Sequence, residues 1–300
     1  MSHSTREASS ELRAAYTKET DRAAWYGIGR RADLGLDRCT EAQLALRSQL
    51  AWHLFNTGYL GLLPYQGSIG TIASYDFIMS PRYDEIVIIM DSALDNVMDY
   101  FFHPGRPTFP GLRLRRALEW EEGLPDPERN YERRYYRRYE TVHLPTGGKL
   151  TFTTHPKTRT GIGSDRKAMR DPVGIDVPLG EDESFKLKLF PVMAPGIRRM
   201  LAALVSRFTA AAPDGRWVTG SWFNAPEGRQ DDVGSGFEYS RSLAGAGAFW
   251  SLRWTRFPTV EDVALMLTDP VFGLDGVEVH RRSASVDLML EGATLRLERV

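Results

Sequence analysis

The chain has 300 residues, 42% of them hydrophobic and 26% charged, with a formal net charge of −1. That length supplies ample apolar material for one large or two medium domains, and the balance of charge gives no global attraction to nucleic acid or to a membrane. Cys39 is the single cysteine, so no disulfide can form within the chain, and an amino terminus without an apolar signal core fits a soluble, cytoplasmic protein.

Residues 5–26 read as a weak helix, with Leu12, Ala15, Tyr16 and Ala23 forming a thin apolar stripe. The next helix is clearer. Thr40 and Gln43 have the spacing of a capping box, and Leu46, Leu50 and Leu54 follow four apart towards a stop near Gly58. The β-branched run Ile86–Met90 predicts a buried strand, with Asp91 or Ser92 capping a helix through Leu94, Val97, Met98 and Phe101. Strands are expected over 137–144 and 150–155, joined by the turn "PTGGK". The acid-, Pro- and Gly-rich stretch 171–183 reads as a linker. It divides the chain into an N-terminal α+β portion, 1–180, and a C-terminal one, 181–300, or joins them in one merged domain.

Beyond it, Pro195 opens a helix through Ile197, Met200, Leu201, Leu204, Val205 and Phe208, which Pro213-Asp214-Gly215 ends. "RWVTGSWF" and "GAFWSLRW" look like strands, and Thr259 with Asp262 caps a short helix. The tail alternates as strands about a Glu-Gly turn. No internal repeat is legible. Helices and strands that segregate along the chain predict an α+β fold: a helical N-terminal portion, a central basic β-hairpin, and a C-terminal antiparallel sheet with packed helices.

The opening question for function is the run Tyr131–Tyr139, which holds four arginines and four tyrosines. Residues 129–170 carry +8, so the remainder carries −9 and the chain is electrically divided. Pairing Leu144 with Leu150 and Val142 with Phe152 would send those four inward. The other face would then carry Arg137, Tyr139, Thr141, His143, Thr151, Thr153, His155 and Lys157, all hydrogen-bond donors and none an acid. "TRTGIGSDRK" follows as a basic, Gly-containing loop, although it matches neither the P-loop nor the dinucleotide fingerprint.

Such a surface suits an anion. Arg137, Tyr139, Lys157, Arg159, Arg166 and Lys167 are the candidate ligand-binding residues, for a phosphate-bearing ligand, nucleic acid or an acidic protein. The competing expectation is an enzyme on an anionic small molecule with His143 or His155 as acid/base. The plain alternative is an ordinary solvated strand face, since arginine stems pack well beside tyrosines. Asp91, Asp95 and Asp99 share a helical face but lack the second metal motif of diphosphate chemistry, and the six histidines form no ligand cluster. Neither a metal nor a cofactor is expected.

Overall fold

The computed structural model describes residues 3–29, 33–56, 77–90, 94, 109–124, 132–154, 173–220, 222, 241–255 and 257–300, with the backbone alone for 119–124 and 132–136. Among them are six helices and ten strands, an α+β fold.

The N-terminal segment is two helices, α1 (His3–Thr17) and α2 (Asp21–Gly27). Lys18 breaks them with φ +62°, and the Thr20 hydroxyl caps α2 by accepting from the Ala23 N–H. In α3 (Glu41–Phe55), Thr40 accepts from the Gln43 N–H as the spacing predicts. The Gln43 amide does not complete the box. It donates to the carbonyls of Asp84 and Lys149, at 3.0 and 2.8 Å, and so fastens the helix to the sheet beneath it.

The first sheet has the order β1-β2-β5-β4-β3, from β1 (Phe77–Pro81), β2 (Glu85–Met90), β3 (Leu112–Leu124), β4 (Glu132–His143) and β5 (Lys149–Thr154). Every pair is antiparallel except β2 with β5. β2 is buried on both faces, which is why its apolar run is continuous. Of the helix expected after it, Leu94 is helical and buried.

The 171–183 stretch is not simply a linker, because α4 (Glu181–Lys188) begins inside it. Glu183 anchors α4 by accepting from the Arg113 guanidinium at 2.5 and 2.8 Å and from the Gly111 and Gly180 N–H groups. Then α5 (Pro195–Ser206) presents its stripe to the core. Of "RWVTGSWF", the described residues 216–220 and 222 form an isolated bridge between Val218 and Ala211 and no strand. The Thr219 hydroxyl donates to the backbone at the end of α5, at Arg207 and Ala210, and turns the chain back.

The second sheet has the order β6-β7-β10-β9-β8, from β6 (Arg241–Ala246), β7 (Phe249–Trp254), β8 (Glu278–Arg281), β9 (Ser285–Leu290) and β10 (Ala293–Arg299), with α6 (Val260–Leu267) between β7 and β8. It is mixed and not purely antiparallel, since β7 and β10 run parallel. The two sheets therefore share one topology. Phe77 faces Met90 across the first hairpin as Arg241 faces Trp254 across the second, and Glu85 faces Lys149 in parallel as Phe249 faces Thr294.

The two halves are cross-linked in kind. Asn56, just past α3, both donates to and accepts from the backbone of Leu243 on β6, each at 2.8 Å. Thr209, just past α5, accepts from the Met79 N–H on β1 at 3.1 Å. Met79 and Leu243 occupy the same position in their hairpins, so each half caps the other's edge strand. One hydrophobic cluster runs through both sheets and includes Ile197, Met200, Leu201, Leu204 and Val205 of α5. Leu204 is 1% exposed at its centre. Leu204→Ala is expected to cost about 2–5 kcal/mol in urea unfolding, and a loss below about 0.5 kcal/mol would remove α5 from the core.

Candidate functional site

The basic strand β4 lies between β3 and β5, and its register differs from the sequence reading. Thr141 faces Leu150, Tyr139 faces Phe152 and Arg138 faces Thr153. Leu144 leaves the ladder, because its N–H donates to the Gly111 carbonyl while the His143 carbonyl accepts from Thr146 and Gly147. The turn therefore starts earlier than alternation suggests, and Tyr139, Thr141 and His143 point inward, all buried. Polar residues tolerate that side because they are satisfied locally. The Thr141 hydroxyl donates to the Leu150 carbonyl at 2.5 Å.

His143 is 0% exposed. Its Nε2 lies 3.0 Å from the Pro110 carbonyl, which can only accept, so Nε2 carries the proton. Nδ1, 2.9 Å from Thr146 Oγ1, then accepts from that hydroxyl, which itself accepts from the Gly148 N–H. The ring stacks on Phe109 at 4.9 Å, and buried His53 lies against Phe109 at 5.4 Å. Burial pushes His143 down to about 4, aided by the Arg113 cation and opposed by the Pro110 hydrogen bond and Glu183. Burial alone brings His53 to about 4. His143 is thus a neutral residue that ties the 143–149 turn to the segment before β3. Gly111 must be glycine there: its φ is +86°, and a Cβ would meet Pro145 at 2.8 Å.

The cations of the outward face are partly answered. Arg138 contacts Glu140 at 3.0 Å and Glu85 at 3.5 Å, Glu85 also pairs with Arg82 at 3.0 Å and accepts from Thr151, and Lys149 pairs with Asp84. The expected acid-free face is therefore interrupted by Glu85 and Glu140. Along β3 the register also sets Glu119 opposite Arg137 and Glu122 opposite Arg134. Arg137 is half-buried, with its N–H donating to Thr154 Oγ1. His155, Lys157, Arg159, Arg166 and Lys167 lie outside the described residues, as do the "TGIGSDRK" loop and Asp91, Asp95 and Asp99.

Two cations absent from the sequence-based set stand out. Arg115 and Arg116 are exposed at a β-bulge in β3, and neither makes an ion pair with any described residue. The alternating "LRLRR" that opens β3 carried the signal. Cys39 offers no counterpart nucleophile, since burial pushes its thiol up. Among the described residues no three His, Cys, Asp or Glu side chains are grouped to hold a metal ion, and no helix is long and apolar enough to cross a membrane. Comparison with the models of known families, with curated proteins and with solved structures returned no match.

Proposed function

We propose that this protein is a binding protein that engages an anionic partner through the arginine-rich β3–β4 region and the basic chain up to residue 170. The observation that supports this most directly is the exposed pair Arg115 and Arg116, which make no ion pair with a described side chain although Glu140 faces Arg116 across the sheet, beside a strand that carries Arg133, Arg134, Arg137 and Arg138. Guanidinium groups left unpaired on a surface are suited to bidentate contacts with carboxylate or phosphate. On the neighbouring strand, Arg138 is held by Glu140 and Glu85. The competing reading, an enzyme acting on an anionic small molecule, would rest on His155, because both ring nitrogens of His143 are engaged.

The test is elution from a heparin matrix. Arg115→Ala with Arg116→Ala should elute at distinctly lower salt than wild type, because fewer counterions are released on binding. Stability should change by less than about 0.5 kcal/mol, as both side chains are exposed. Identical elution of the two proteins would overturn the proposal.

A further inference from the structure

The two halves match strand for strand: Val142 faces Lys149 as Met289 faces Thr294, so His143 holds the place of Leu290. They differ most at β3 and β4. In the second half, β8 pairs with β9 only along the stretch of β9 that β10 supports. In the first half, β5 supports β4 from Arg138 to Val142, whereas β3 and β4 go on pairing from Glu119 and Arg137 to Leu124 and Glu132. This outer stretch is a ribbon of two strands. Two strands alone are marginal in water, and a further strand along one edge stabilises them.

The charges of the two ribbon edges decide where that strand can lie. Arg133, Arg134 and Arg137 dominate β4, so second copies would repel one another there. β3 ends the sheet. Leu114 pairs with Val173 and Gly174, and beyond it no described residue pairs with the outer edge of β3. That edge carries both signs, with Arg115 and Arg116 towards one end and Glu119, Glu121 and Glu122 towards the other. An antiparallel second copy therefore brings each end against its opposite. A two-fold axis perpendicular to the sheet sets residues of one face against each other. Centred on Glu119, it sets Arg116 against Glu122 of the second copy and Leu118 against Trp120. Since Glu122 already faces Arg134 and Arg116 already faces Glu140, each row across the four strands reads Arg134, Glu122, Arg116, Glu140, alternating in sign. Glu119 meets its own copy with Arg137 opposite it on each side. Moving the axis one residue either way sets Arg116 against Trp120 or Leu124 and loses the match.

We propose that this chain forms a two-fold dimer in which β3 pairs antiparallel with β3 of a second copy, making a four-stranded ribbon. The inference rests on the reading above in taking Arg116 to meet a partner's carboxylate, and it names that partner as the acidic end of the same strand.

The experiment is sedimentation velocity of the full chain over a concentration series. Wild type should pass from monomer to dimer. Arg116→Glu and Glu122→Arg should each raise the dimer dissociation constant roughly tenfold or more, because like charges then face each other twice in every dimer. The two variants mixed in equal amounts should dimerise again, since each supplies the sign that the other needs. A wild type that stays monomeric at every concentration would overturn the proposal, as would single variants that dimerise like wild type or a mixture that does not recover. The heparin elution above separates the two readings. A monomeric wild type whose elution still depends on Arg115 and Arg116 would overturn the dimer and leave the anionic contact standing. Dimerisation restored by mixing, with elution indifferent to those residues, would uphold the dimer and overturn the broader contact.

Discussion

Glu19→Gln is expected to destabilise the protein by about 3–5 kcal/mol, the usual cost of removing one partner from a buried ion pair. The side chains of Arg13 and Glu19 are both 0% exposed, with Arg13 donating to the two carboxylate oxygens at 2.7 and 3.0 Å. The same guanidinium donates to the carbonyls of Gly27, Leu34 and Pro81. It is one of three buried arginines that fasten the segment before α3. Arg47 donates to the carbonyls of Leu36 and Arg82, while Arg207 grips the Asp37 carboxylate at 2.6 and 2.7 Å. Gly27 has to be glycine, because a Cβ there would sit 2.1 Å from Arg13 Cζ. Glutamine keeps the size of Glu19 but leaves a cation enclosed without a counter-charge. Urea unfolding measures the loss. The double variant Arg13→Met, Glu19→Leu should lose much less than the two single changes summed, because no orphaned charge remains. A Glu19→Gln loss under about 1 kcal/mol would mean that water reaches the pair and that the arginines do not hold the N-terminal arm.

These staples mark where the sequence was legible and where it was not. Thr40 and Thr259 as caps and Pro195 as a first helical residue announce their helices because these signals are local, and each helix starts where its signal predicts. The β-branched run of β2 and the Glu291-Gly292 turn are local signals too. The register of β4 against β5 is not. It depends on Leu144 donating to Gly111, more than thirty residues earlier, and on Pro110 accepting from His143. Alternation read His143 and Thr141 as outward because they are polar, whereas their hydrogen bonds let them lie inside. The duplicated topology was invisible for a related reason: Leu290 and His143, or Leu243 and Met79, share positions but little chemistry. The charge pattern of the first sheet was half legible. The cations of β4 were evident, but Glu85 reaches Arg138 only because β2 and β4 flank β5 in one sheet. Arg115 and Arg116 became conspicuous only once the bulge left them exposed.

Mild acid is expected to weaken the fold well before ordinary carboxylates titrate. His53 and His143 both lie against Phe109, both held neutral, with folded values of about 4. An unfolded histidine titrates near ~6.5. A depressed histidine leaves the full stability in place above that value. As pH falls from about 6.5 towards 4, the unfolded chain takes up protons that the folded chain excludes, so stability drops. At pH 5 the loss is roughly 2 kcal/mol per histidine, roughly 4 together. The charged neighbours do not cancel this. Arg113 disfavours the imidazolium, and Glu183, which favours it, is already engaged by Arg113 and two backbone N–H groups. Glu183 itself is lowered to about 2, so its stabilisation, present above its ordinary carboxylate range, begins to fail only below about pH 4.5 and extends the same trend. Urea midpoints at pH 7.5 and pH 5 measure the slope. His143→Leu, which installs the residue found at the matching position of the second half, should lower stability at pH 7.5 by breaking the brace of the turn, yet remove about half of the pH dependence. His53→Phe should remove the other half. Equal stability of wild type at the two pH values would show that neither imidazole is shielded from water, and an undiminished slope in both variants would move the acid sensitivity to other groups.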